Sequence, residues 1–154
     1  MYRKILVPLD GSKFAESALE HVRAIAQGRL VDKVVLIRVL IPIIMDAKDY
    51  LGAERVREAE DKLEADAKEY LDKTATDLRK EGIPVETKIV VDGEPAAKIL
   101  EVAREERVDL IIMSTHGRSG FTRWIFGSVA NRVLIHSSVP VLMVVPEGRG
   151  KEKF

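Results

Sequence analysis

The chain alternates between short apolar blocks and longer stretches in which apolar residues recur every three or four positions. Ile5-Leu6-Val7 is the first block. Pro8 closes it, because proline cannot donate to a ladder and marks a strand end. Phe14, Ala18, Leu19, Val22 and Ile25 follow at helical spacing as far as Gly28. They predict a helix entered through the turn Asp10-Gly11-Ser12, with Ser12 as its N-cap. Val34-Val35-Leu36-Ile37 with Val39 is a second strand, apolar on both faces. Continuous apolar strands alternating with helices indicate a parallel sheet covered on both sides.

An apolar loop over residues 40–48 leads to a long helix, from about Asp49 to Lys80. Val56, Leu63, Ala67, Tyr70, Leu71 and Leu78 share one of its faces. The other carries Glu and Lys at four-residue spacing, such as Glu69 and Lys73, and reads as a solvated surface. Gly82 ends it. Val85 to Val91 alternates with Glu86 and Lys88, the pattern of a half-exposed edge strand. Pro95 suits the first position of a helix that runs to about Glu106 and buries Ile99, Leu100 and Val102. Val108 to Met113 is a fourth strand, a helical pattern runs from Val129 to His136, and Val139 to Val145 is a fifth strand. This order predicts one doubly wound α/β domain over residues 1–146. Its five-stranded parallel sheet has the order 3-2-1-4-5, with helices on both faces. Residues 147–154 read as a charged tail.

Composition narrows the function classes. Lys plus Arg and Asp plus Glu each number 25, so the formal charge is zero. That balance gives no electrostatic argument for nucleic acid or an anionic membrane as a partner. Apolar residues make up 46% of the chain, yet no run approaches the ~18 residues of a membrane span. The start runs into a strand without the apolar core of a signal peptide, and a cytoplasmic address is expected. With no cysteine, disulfides, thiol catalysis and thiolate metal sites are excluded.

The chemistry concentrates after the fourth strand. Met113-Ser114-Thr115-His116-Gly117 empties into a loop that reaches Gly127-Ser128-Val129 and then a helix. Glycines let a backbone approach an anion, and a helix start offers unpaired N–H groups and the positive end of a dipole. In open parallel sheets, ligands bind beyond the carboxyl ends of the strands, where strand order reverses. Asp10 would face the glycine loop there, if the first and fourth strands are neighbours, and accept a hydrogen bond from an exocyclic amine or sugar hydroxyl. Gly117 and Ser128 would hold phosphates, and Val39 and Met113 would wall a base. Taken singly, Asp10 reads as a turn residue or helix cap, Gly127-Ser128 as a helix start, and Val39 and Met113 as core. At the ends of different strands of one sheet, together, they favour binding.

The same residues carry a resemblance. Lys4 to Ser12 resembles the first strand and turn of the universal stress protein family. Val108 to Val145 resembles its closing half, down to Ser138-Val139-Pro140-Val141-Leu142-Met143-Val144. The nucleotide-binding branch of that family has the pattern Gly-x2-Gly-x9-Gly-Ser/Thr. Gly117, Gly127 and Ser128 match it, and Ser114 stands where its first glycine would be. The resemblance implies ATP or AMP as ligand, with magnesium or manganese as a possible companion of ATP; it names no metal-ligating residue. It places Asp10 and Val39 against adenine, and Met113 and Ser114 beside the sugar. Gly117, Arg118, Gly127, Ser128 and Val129 surround the phosphates, and Pro8 shapes the pocket floor. Serine at 114 adds a Cβ near the ribose and phosphate path and disfavours positive φ, so adjusted or weakened binding is expected.

Other residues carry less. Arg118 and Arg123 are candidate phosphate partners, though loop arginines are usually solvated. His21 reads as surface, His136 as a cation at a helix C-terminus, and His116 as a positioning group. Trp124 and Phe126 read as anchors of the glycine loop. The Walker pattern Gly-x4-Gly-Lys-Ser/Thr is absent, so hydrolysis of that type is not indicated. The expected protein is an adenine-nucleotide-binding regulator or sensor. A ligand-independent interaction module and a slow ATPase are the alternatives. The apolar fifth strand lies at a sheet edge in the predicted order and needs cover. Antiparallel pairing of two copies through Val139 to Val145 is expected to supply it in a homodimer.

Overall fold

A computed structural model of the chain describes residues 2–27, 31–43, 52–116 and 127–146. Its sheet has five parallel strands in the order β3-β2-β1-β4-β5, as the pattern predicts. The strands are β1 (Lys4–Pro8), β2 (Lys33–Leu40), β3 (Val85–Val91), β4 (Leu110–Ser114) and β5 (Val141–Val144). Between them run α1 (Lys13–Glu16), α2 (Ala18–Ala26), α3 (Ala53–Lys80), α4 (Pro95–Glu105) and α5 (Ser128–His136).

Strand alternation divides the core in two. Ile5, Val7, Val34, Leu36, Leu110 and Ile112 face α1, α2 and α3. Leu6, Val35, Ile37, Ile111 and Met113 face α4 and α5. Successive side chains of a strand point to opposite faces, so a strand covered on both sides is apolar at nearly every position. The central positions Ile5, Leu6, Val34, Val35, Leu36 and Ile111 have no exposed surface. Each such side chain contributes about 1.5–3 kcal/mol relative to an exposed one. β3 keeps intermediate or exposed positions along its length, as an edge strand does.

Three boundaries depart from the pattern, each for a local reason. The helix expected from Ser12 to Gly28 is divided into α1 and α2. At Ser17 the hydroxyl donates to the Phe14 carbonyl at 2.7 Å, a local bond that competes with the helix ladder. Ser12 does cap α1, its Oγ accepting the Ala15 amide at 3.1 Å. β4 begins at Leu110 rather than Val108, because the Val108 amide donates back to Ala103 O at the end of α4 and Arg107 adopts φ 52°. β5 covers Val141–Val144, not Val139–Val145. Pro140 has no N–H, and Val139 is engaged in a local turn with the Ser137 hydroxyl. The first residues expected in the long helix, Asp49 to Leu51, and the tail from Glu147 lie outside the described residues.

β1 and β4 are neighbours, and their pairing is short. The ladder joins Ile5 to Leu110 and Leu6 to Ile111, while the strands continue to Pro8 and Ser114. β1 stays with β2 to its end, where Leu9 N donates to Ile37 O at 2.8 Å. The carboxyl ends of β1 and β4 therefore part, at the point where strand order reverses.

Candidate functional site

That parting opens a cleft of about 450 Å³. Of the ten residues expected to bind ligand, Pro8, Asp10, Val39, Met113, Ser114, Gly127, Ser128 and Val129 all line it. Gly117 and Arg118 lie outside the described residues, as do Arg123, Trp124 and Phe126. His116 lines the cleft, His21 is exposed on α2, and His136 ends α5.

The floor comes from β1. Pro8 ends the strand, and Asp10 turns the chain by accepting the Ser12 amide on Oδ1 at 2.9 Å. Asp10 is thus both a turn residue and a cleft residue. Gly11 supplies the positive φ of this turn, 84°, which a side chain adopts only at a cost. Val39 and Met113 close one wall, on the α4 and α5 side of the sheet, where Ile99 also lines the cleft.

The opposite end is the start of α5. Gly127 precedes α5 as its N-cap and offers no side-chain cap. Its own amide is bound to Thr115 O. The first intrahelical bond is Asn131 N to Gly127 O at 2.9 Å, and no described residue accepts from the amides of Ser128, Val129 or Ala130. All three residues line the cleft. N–H groups without an acceptor among the described residues, at a nine-residue helix's positive end, favour a phosphate or carboxylate.

Ser114 sits in β4 opposite Val144 and is 6% exposed. Among the described residues, Arg107 is the one non-glycine with positive φ, so position 114 makes no demand that only glycine meets. The Ser114 hydroxyl accepts the His116 amide at 3.3 Å, and Thr115 Oγ1 lies 2.9 Å from His116 Nδ1. The serine is an integral part of a polar turn at the head of the loop.

Two cleft residues escape the sequence reading. Thr115 is 2% exposed and bridges β5 to the start of α5, donating its amide to Val144 O and accepting from Gly127 N. Arg38 is 6% exposed, a charge enclosed in the apolar run Val-Val-Leu-Ile-Arg-Val-Leu. Its guanidinium lies over the Tyr70 ring, 5.5 Å from the centroid. The Tyr70 hydroxyl is buried, with no hydrogen-bond partner within 3.5 Å among the described residues. Burial first, then the nearby Glu16 and Asp10 carboxylates, hold it protonated well above the ordinary tyrosine range, with Arg38 opposing them. A charge inside an otherwise apolar strand was the available signal for Arg38.

An open doubly wound α/β domain with a cleft at its topological switch point, lined by an aspartate, apolar walls and an uncapped helix start, defines the class. The model of the universal stress protein family matches residues 1–145, and the chain belongs to that family. The universal stress protein MJ0577 of Methanocaldococcus jannaschii is 35% identical over 156 residues, covering 94% of this chain and 95% of that protein. Its solved structure superimposes with a TM-score of 0.84 over 96% of this chain and 99% of that one. A universal stress protein of Archaeoglobus fulgidus, solved in complex with dAMP, is 30% identical with a TM-score of 0.65, over 92% of this chain and 97% of that one.

Proposed function

We propose that this universal stress protein binds an adenine nucleotide, ATP or AMP, in the cleft between β1 and β4 and acts as a nucleotide-dependent stress regulator or sensor in the cytoplasm. The observation that carries the reading is the gathering of eight expected ligand residues in one cleft, beside three helix amides that have no acceptor among the described residues. The base lies between Val39 and Met113, where Asp10 accepts from its exocyclic amine. The sugar passes Ser114, and the phosphates meet Gly127, Ser128 and Val129, with Gly117 and Arg118 completing their side. Magnesium or manganese accompanies ATP through the phosphates. The dAMP complex of the Archaeoglobus relative supports the ligand class. Among the described residues no helix is long and apolar enough to cross a membrane.

The working unit is a homodimer through β5. Leu134 and Ile135 at the end of α5 and Val145 just after β5 are 42%, 64% and 59% exposed, apolar surface that a second copy covers. A ligand-independent module is the second reading, and Ser114 in place of the pattern's first glycine is what favours it.

A thermal-shift screen with ATP, ADP, AMP and GTP, each with and without magnesium or manganese, decides between them. Binding predicts stabilisation by ATP or AMP, about 2.7 kcal/mol at a hundredfold excess over Kd. Mass spectrometry of nucleotide released by denaturation is the companion test. No shift with any adenine nucleotide, together with no co-purified nucleotide, rejects the proposal.

A further inference from the structure

Arg38 is a buried cation that the nucleotide reading does not use. Its side chain leaves β2 on the α1 and α3 side of the sheet, since its strand neighbours Ile37 and Val39 belong to the opposite core. It runs under the β1–α1 turn. A Cβ added to Gly11 would meet Arg38 Nη1 at 3.2 Å and Nη2 at 3.3 Å, so the guanidinium lies directly against the Gly11 backbone. It also lies over the ring of Tyr70 from α3. The planar group is thus held between the turn that carries Asp10 and the long helix that backs it.

A guanidinium out of water is tolerated only where neighbours compensate its charge. The Asp10 and Glu16 carboxylates lie close enough to the Tyr70 side of this cluster to favour its protonated hydroxyl. A rigid, planar cation resting on an aromatic face fixes its surroundings better than a flexible ammonium does. Gly11, at φ 84°, has the open backbone that such close contact needs.

We infer that Arg38 is a positioning residue: packed between Gly11 and Tyr70, it holds the Asp10–Gly11 turn so that Asp10 is presented to the nucleobase, and it thereby sets base-side affinity without acting on the phosphates. The inference rests on the nucleotide reading above for its ligand. The positioning of the turn is a property of the unliganded chain.

The test compares wild type with Arg38→Lys and Arg38→Met, the lysine variant keeping a charge in case the methionine variant folds poorly. Calorimetry measures ATP, adenosine and inorganic tripolyphosphate, and hydrogen exchange follows the Ser12 amide, which Asp10 Oδ1 accepts. Arg38→Met is expected to weaken ATP and adenosine by roughly tenfold, the scale of one charge-assisted contact. Tripolyphosphate should stay within about twofold, and Ser12 exchange without ligand should quicken by roughly tenfold. Arg38→Lys should fall between. Parallel weakening of ATP and tripolyphosphate would place Arg38 on the phosphates or in general stability, and overturns the inference. Unchanged Ser12 exchange overturns it as well. If wild type binds neither ATP nor tripolyphosphate, the nucleotide reading fails by itself, and Ser12 exchange still decides whether Arg38 holds the turn.

Discussion

The Gly127 amide donates to the Thr115 carbonyl at 2.8 Å, tying the exit of β4 to the entry of α5. The bond holds the open helix start beside Ser114. Gly127 has φ −54°, and a Cβ there would stand 3.4 Å from Thr115 O, an ordinary contact. Gly127→Ala is therefore expected to fold with little change in Tm, while its methyl group obstructs an anion's approach to the helix amides. ATP affinity should drop by about tenfold for alanine and further for valine, by calorimetry, with circular dichroism reporting the fold. Full affinity in Gly127→Val would remove the helix start from the binding site.

Ser114→Gly should keep or tighten ATP binding. The serine is unstrained in β4, so its removal relieves a Cβ near the ligand path and gives up a 3.3 Å bond to the His116 amide. A clear loss of affinity on titration would show that the hydroxyl itself contacts ligand.

Glu106 predicts a pH dependence at the other end of the sheet. Its carboxylate lies 3.0 Å from Lys88 Nζ and 3.4 Å from Lys4 Nζ, with 19% of its side chain exposed. The Lys88 hydrogen bond, assisted by Lys4 and opposed by partial burial, lowers its pKa below the ordinary 4.5. A carboxylate depressed in the folded state stabilises fully above its unfolded pKa and loses that contribution as pH falls through the folded value. Glu106→Gln should cost about 1 kcal/mol at pH 7, and the gap should close as the pH falls below 4.5 and through the lowered folded-state value. Urea unfolding of both proteins from pH 7 to pH 3 checks this, and a constant gap would refute it.

If β5 is the seam of the proposed dimer, Val141→Asp with Met143→Asp should convert it to monomer. β5 is four residues long, so two charges across a paired copy disturb most of the contact. Light scattering at micromolar concentration is the measurement. A monomeric wild type, or a double variant that remains dimeric, counts against β5 as the interface.

Strand order was legible because each interior strand is apolar on both faces and β3 alone alternates. Ends were less so. Val139 looks like strand by composition, but Ser137 captures it in a turn, a competition that apolar pattern does not register. Ser17 divides the first helix in the same way. In the cleft, residues at strand exits such as Asp10 and Met113 were found because topology dictates where exits meet. Arg38 was missed because its part depends on Gly11 and Tyr70, 27 positions before it and 32 after it, brought together only by the fold.

The short ladder between β1 and β4 has a further consequence. The two cores lie on opposite sides of the sheet and are screened from each other by it. Where the strands separate, Ala15 from one layer and Ile99 and Ala130 from the other border the same space. A molecule seated there wedges into the seam and bears on both halves at once. Any occupant of the cleft would then touch both layers, the one that includes α3 and the one that includes α5.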